Sequence, residues 1–314
     1  MTNRIPMKNY TYASLLALLL LASTTWATAQ NVLVNTTKKY PKIKEIEVES
    51  GWLDVSYQGG EGTEVSVEAY LESNIPDQDI VFVTVGDVLK ISYKRSGEKY
   101  NWNGKNKGYI KITGPVALEL EVRGTSGNIS IQTLESELTT LQLTSGNVIA
   151  SQIKGNLTLT ATSGTLQAKD VEGDVNARLT SGNTTLDGIK GTVNYGSTSG
   201  NFTAKNIGSQ LDVLLTSGNA KLENVKELGT MRITSGNMTA VNAGLGPKTQ
   251  FNGTSGNFTV QTPSNLGDFN YALKSASGNL RVGKTTTEKS LDINNNAATT
   301  VRGNITSGNI TIAN

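Results

Sequence analysis

Residues 198–215 read Thr198-Ser-Gly-Asn-Phe-Thr-Ala-Lys-Asn-Ile-Gly-Ser-Gln-Leu-Asp-Val-Leu-Leu215, and the next residue opens the word Thr-Ser-Gly-Asn again. That word stands at 125–128, 144–147, 180–183, 198–201, 216–219, 234–237, 254–257 and 306–309, with the variants Thr162-Ser-Gly-Thr165 and Ala276-Ser-Gly-Asn279. Its glycines are spaced by 19 residues, then by 18 five times running, then by 20, 22 and 30. A fixed period of this length marks a stacked repeat architecture. Counted from the glycine, positions +2, +4 and +7 are apolar in most repeats, as in Val148, Ala150, Ile153 and in Phe202, Ala204, Ile207. Positions +11, +13 and +15 are apolar too, as in Val175, Ala177, Leu179 and in Leu211, Val213, Leu215. Between the two runs a second turn often carries glycine, at Gly155, Gly173 and Gly191. Alternation with period two between turn signals reads as strand, turn, strand, turn.

One such unit cannot bury enough apolar surface to order itself, so neighbouring units must stack. The expected fold is all-β: a right-handed parallel β-helix (β-solenoid) with about 18 residues per coil and an irregular β N-terminal cap. A left-handed helix of three hexapeptides also fits a period of 18, but small turn residues do not recur every six positions here. Glycine supplies the positive φ of a sharp corner. The asparagines beside it, Asn147, Asn183, Asn201, Asn219, Asn237 and Asn257, are placed to form an amide ladder from coil to coil. Thr180, Thr198, Thr216 and Thr234 should form a hydroxyl column. Charges alternate in register, with Lys169, Asp187, Lys205, Glu223 at +5 and Lys154, Glu172, Lys190 at +8, which reads as a surface ion ladder.

Three regions follow. Residues 1–29 read as a signal peptide: Arg4 and Lys8 are basic, 13–22 is an apolar run, and Ala27-Thr-Ala29 is a cleavage site. The apolar run is too short for the ~20 residues of a membrane span, and no transmembrane anchor is expected. Residues 30–124 form an N-terminal β region and cap, and 125–314 form the solenoid repeats. Removing Arg4 and Lys8 leaves 26 basic and 26 acidic side chains, a balance that argues against nucleic acid as partner.

The chain has no His and no Cys. Histidine triads, thiolate nucleophiles, zinc sites and disulfide frameworks are thereby excluded. No cofactor, metal or catalytic residue is expected. The best binding candidate is an aromatic and basic stretch holding Tyr93, Lys94, Arg95, Lys99, Tyr100, Trp102, Lys105 and Lys107, a mixture suited to sugar rings or anionic polymers. The competing reading is a hairpin loop whose aromatics pack on the cap. The chain ends on Ile310-Thr-Ile312-Ala-Asn314. An open strand edge there would invite pairing with another chain, hence an end-to-end homodimer.

The Ser-Gly-Asn units with alternating apolar residues behind a signal peptide resemble the bacterial putative-adhesin family of β-strand repeat proteins, including its head GIN domain relatives. Ile43-Lys-Glu-Ile46-Glu-Val48 and Leu53-Asp-Val55 are similar to its opening strands. Ile112-Thr-Gly-Pro115 before Leu118-Glu-Leu120-Glu-Val122 is similar to its lead into the repeats. The resemblance implies a right-handed β-helix, an extracytoplasmic setting and no catalytic motif. The expected function is that of an exported, non-enzymatic, adhesin-like surface or envelope protein. Such a protein would present a rigid polar face to surface or cell-wall glycans, or to other envelope proteins, from the periplasm, the cell surface or outside. The alternative is a carbohydrate-active β-helix enzyme, a polysaccharide lyase or hydrolase, an expectation that rests on fold analogy. Ice binding, suggested by the threonine column, would need two threonine ranks on one flat strand.

Overall fold

The computed structural model describes residues 31–96 and 106–314. The signal-peptide reading of 1–29, and Lys99, Tyr100, Trp102 and Lys105 of the candidate binding stretch, lie outside these residues. The described chain is all-β, apart from a single 3-10 turn at Leu266–Asp268.

The repeats stack as the periodicity expects. Strand β10 (Val175–Ile189) pairs in parallel with β9 (Asn128–Val171) on one side and β11 (Val193–Gln261) on the other. Residues 18 apart stand opposite each other, Val175 beside Leu157 and Val193, Gly182 beside Gly164 and Gly200. Because pairing continues through the corners, β9 and β11 each contain several strands of successive coils. The apolar positions +2, +4, +7, +11, +13 and +15 point inward and are buried, for example Phe202, Ala204, Ile207, Leu211, Val213 and Leu215. The interior is interdigitated by size. Tyr195 stacks on Phe202 at 3.8 Å between centroids, and the small inward residues Thr184 and Ser197 beside them make room for that pair.

The N-terminal region belongs to the same stack. Strands β2 (Glu45–Gly51) and β3 (Asp54–Gly60) form the two sides of a coil that lies directly on β8 (Glu119–Gly124) and β9, in parallel. Outside β2 comes β6 (Val88–Arg95), then antiparallel β5 (Gln78–Val85). Outside β3 come β7 (Lys107–Pro115), β4 (Glu64–Ser73) and β1 (Asn31–Pro41), the last two antiparallel. The two outermost strands meet where Tyr40 stacks on Phe82 at 6.5 Å and Lys38 lies 4.4 Å from the Phe82 ring centre.

The C-terminal end departs from the sequential order. Strand β14 (Thr299–Ala313) pairs in parallel with β11 on one edge and with β12 (Phe269–Val282) on the other. The last strand is thus inserted between two earlier ones, with Gly308 between Gly256 and Gly278. The outer edge of β12 is covered by antiparallel β13 (Thr285–Ile293). The open edge expected at Ile310–Ile312 therefore does not exist, because both sides of β14 are hydrogen-bonded. Among the described residues the edges that remain are β1, with Lys38, Lys39 and Pro41, β13, with Glu288 and Lys289, and β5, which pairs with β6 alone and exposes Val83 and Val85. Charge and proline oppose strand addition at β1 and β13, and the Ile310–Ile312 edge expected to carry the end-to-end dimer is covered.

Candidate functional site

The corners are held by side-chain ladders. Asn147 Nδ2 donates to Asn128 Oδ1 at 2.9 Å, and Asn128 itself donates to Asp54 Oδ1. After the Thr165 interruption the column resumes: Asn201 donates to Asn183 at 3.2 Å, Asn219 to Asn201 at 3.4 Å, Asn237 to Asn219 at 3.4 Å and Asn257 to Asn237 at 2.8 Å. The column runs on through the inserted strand, where Asn309 Nδ2 reaches Asn257 at 2.7 Å and the Asn279 amide N–H reaches Asn309 Oδ1 at 2.8 Å. Stacked glycines allow this spacing. A Cβ on Gly200 would lie 1.7 Å from the carbonyl oxygen of Gly182.

A second column went unread in the sequence. Six residues beyond the turn glycine the backbone is left-handed in successive coils, at Thr133, Gln152, Asp170, Gly188, Asn206, Asn224 and Asn242. Asn224 donates to Asn206 at 3.0 Å and Asn242 to Asn224 at 2.9 Å. Three asparagines in a row at +6 were the available signal, since asparagine tolerates this conformation better than most residues.

The candidate binding stretch is divided by the fold. Tyr93 ends β6 with its ring edge-on to Trp52, 6.0 Å between centroids, and its hydroxyl donates to Gln78 Oε1 at 2.7 Å. Gln78 is buried and donates in turn to Ser73 Oγ and the Ile75 carbonyl. The Tyr93 ring also lies over Gly51, where a Cβ would meet it at 2.4 Å and where φ is +59°. Tyr93 is therefore a fixed part of the cap. Lys94 stands 3.8 Å from Glu49, and Lys94 and Arg95 line a shallow depression with Asp77 and Asp79. Lys107 lies apart from these, at the start of β7, with its Nζ 5.9 Å from the Tyr70 ring.

Tyr70 and Tyr109 stack at 5.6 Å. Their hydroxyls donate to Glu72 and Glu68, and these bonds come first in holding both phenols above their ordinary pKa. Lys111 Nζ sits 4.3 Å from the Tyr109 ring centre and 3.7 Å from Glu68. The ring faces are thus taken up by one another and by lysines, so the pair is a closed surface ladder and offers no open platform for a sugar.

The carboxylates follow the same pattern. Asp187 accepts from Asn206 Nδ2 at 2.8 Å, while Glu223 pairs with Lys205 at 3.0 Å. Glu172 pairs with Lys190 at 2.9 Å, and that contact lowers its pKa. Among the described residues no three His, Cys, Asp or Glu side chains converge on a point that could hold a metal ion. What is exposed in quantity is flat polar surface. One face carries Thr162, Thr180, Thr198, Thr216 and Thr234, all exposed, next to a shallow hollow of about 260 Å³ lined by Arg178, Asn194, Asp212, Leu214, Thr230 and Arg232. The other carries the asparagine column and, two residues on, Thr185, Thr203, Thr239, Thr259 and Thr311.

Residues 43–213 and 207–313 match the family model described as Toastrack DUF4097. No curated protein matches the chain. Among solved structures the chain is similar to a putative cell adhesion protein from Clostridium sporogenes ATCC 15579, at 10% identity over 89% of this chain and 99% of that one, with a TM-score of 0.23. It is also similar to a putative lipid binding protein from Parabacteroides distasonis ATCC 8503, at 15% identity over 89% and 96%, TM-score 0.44. A third is a putative adhesin from Parabacteroides merdae ATCC 43184, at 14% identity over 89% and 96%, TM-score 0.34.

Proposed function

The chain belongs to the Toastrack DUF4097 family, and from that premise we propose that it is an exported, non-enzymatic, adhesin-like envelope protein. In this reading residues 1–29 direct export and are removed, the coils wind right-handed, and a flat polar face meets surface or cell-wall glycans or another envelope protein. The observation that carries the reading is the use of the side chains. The corner amides, the paired carboxylates and the tyrosines are spent on holding coils together. What remains outward is rows of threonine hydroxyls, with the second N–H of each ladder asparagine, on a rigid frame. Rows of hydroxyls and amides at a fixed strand spacing of ~4.8 Å can hydrogen-bond a repeating polar polymer. The glycan would lie along the asparagine and threonine face.

Protease shaving of intact cells, with detection of residues 31–314 and a periplasmic control protein, tests the location. Loss of the chain while the control survives supports surface display, and glycan arrays then identify the ligand class. Survival until the outer barrier is breached overturns host adhesion. Release of new reducing ends or unsaturated sugars from polysaccharides overturns the non-enzymatic reading.

A further inference from the structure

The threonine face is electrically lopsided along its length. At one end β2 and β8 point Glu45, Glu47, Glu49, Glu119 and Glu121 outward on adjacent strands. Lys90, Lys94 and Arg123 pair with only three of these. Glu45 is held above the usual carboxylate range, first by partial burial and then by Glu47 and Glu119. From near its middle to the other end the same face exposes Arg178, Arg232, Arg302 and Lys274. None of these four makes an ion pair within 4.0 Å among the described residues. Between the two ends the outward residues are mostly uncharged, including Thr140, Gln142, Thr158, Thr160, Asn176 and Asn194.

We propose that this face is a homodimer interface, in which two copies lie face to face and antiparallel about a two-fold axis. From β6 to β13 the pairing order along the face is β6, β2, β8, the coils from 139 to 253, then β14, β12 and β13, with β5 beyond β6. The strand Asn194–Thr198 stands midway in that order. It carries Gly196 outward, and the Arg178 side chain of the neighbouring strand lies across that glycine. A two-fold axis there, parallel to the strands, sets the β2 strand of one copy against the β12 strand of the other, bringing Glu49 opposite Lys274. It also sets Glu121 opposite Arg302. A two-fold interface is self-complementary, so each such pair forms twice. The face is roughly 58 Å long at ~4.8 Å per strand, and about 13 Å wide over three outward residues of a strand at ~3.3 Å rise. Roughly 750 Å² per copy is close to the ~800 Å² per partner of a stable interface. The proposal uses the threonine face and leaves the asparagine face free, so it stands or falls independently of glycan binding.

The test is the molar mass in solution, by sedimentation velocity of residues 30–314 across protein concentration and salt. A dimer is expected at low ionic strength, weakening as salt screens the exposed charges. Glu49→Lys and Lys274→Glu should each weaken it at least about tenfold, because each places like charges together twice. The double variant should restore it. Within one chain these residues lie on strands near opposite ends of the face, so rescue reports a contact between copies. Circular dichroism of each variant verifies that the fold is intact. A monomer at every concentration and salt overturns the proposal. So does a dimer that neither single reversal weakens, or one that the double reversal fails to restore.

Discussion

Gly200→Ala is the substitution on which the stacked-coil account makes its largest claim. The φ at Gly200 is +132°, and a Cβ there would lie 1.7 Å from the Gly182 carbonyl oxygen, 2.7 Å from its carbonyl carbon and 3.1 Å from its nitrogen. All three are backbone atoms, so no side chain can swing aside. Relief requires the two coils to separate at this corner. Holding alanine in a glycine-only backbone region costs about 1–3 kcal/mol. Separating the coils strains the packing on either side by about 1–3 kcal/mol. The amide bonds of Asn201 to Asn183 and of Asn219 to Asn201 span this corner, and each contributes about 0.5–1.5 kcal/mol. Together the loss is about 3–9 kcal/mol, a large share of the ~5–15 kcal/mol that holds a domain folded. Gly60→Ala is the control, since Gly60 has no atom within 4 Å of its would-be Cβ and no positive φ. Urea unfolding followed by far-UV circular dichroism should show a large drop in midpoint for the first variant and almost none for the second. Equal midpoints for the two would refute the reasoning that stacked backbone is what demands glycine.

Four further outcomes are expected. Tyr57→Phe should cost about 1–3 kcal/mol in the same urea assay, because the buried Tyr57 hydroxyl donates to the Pro115 carbonyl and leaves it unsatisfied when removed. Tyr195→Phe should be neutral to within about 1 kcal/mol, because the Tyr195 hydroxyl, like that of Thr184, is buried without a hydrogen bond of good geometry. Asn219→Ala should cost about 1–2 kcal/mol, since Asn219 both donates to Asn201 and accepts from Asn237. Burial raises the phenol of Tyr57 and pushes that of Tyr271 up to about 12. A phenol whose folded pKa is raised contributes stability that is full below the unfolded value of about 10 and declines as pH rises through the folded value. Stability should therefore fall between about pH 10 and 12, tracked by phenolate absorbance rising in step with unfolding.

The corner word made the coils and their register legible, since one four-residue signal reports the period, the glycine conformation and the amide column together. The left-handed +6 column stayed hidden because Thr133, Gln152, Asp170 and Gly188 share no residue type. There the ladder and the neighbouring coils impose the conformation. The place of β14 was also illegible. Leu280 and Ile310 follow the same Ser-Gly-Asn word, so either strand satisfies β11 locally. Only the wide spacings of 22 and 30 residues hinted at a changed path. Composition flagged Tyr93 for its aromatic ring but could not show that the ring packs on Trp52 and Gly51 with its hydroxyl on Gln78. The charges at +5 and +8 alternate regularly and were readable. Arg178, Arg232, Arg302 and Lys274 recur irregularly, and they share a face only through the stacking order.

That order is what the rest depends on, and the absence of cysteine makes it directly measurable. Two double variants are compared under mild oxidation: Asn257→Cys with Asn309→Cys, and Asn257→Cys with Asn279→Cys. The structure places residues 257 and 309 on adjacent strands and residue 279 one strand farther out. Adjacent strands fall within the ~4.4–6.8 Å Cα separation of a disulfide and the wider pair does not. The account predicts rapid, complete disulfide formation within one chain for the first variant and none for the second. The reverse result would mean that β12 stacks directly on β11 in sequential order, and it would contradict the inserted strand.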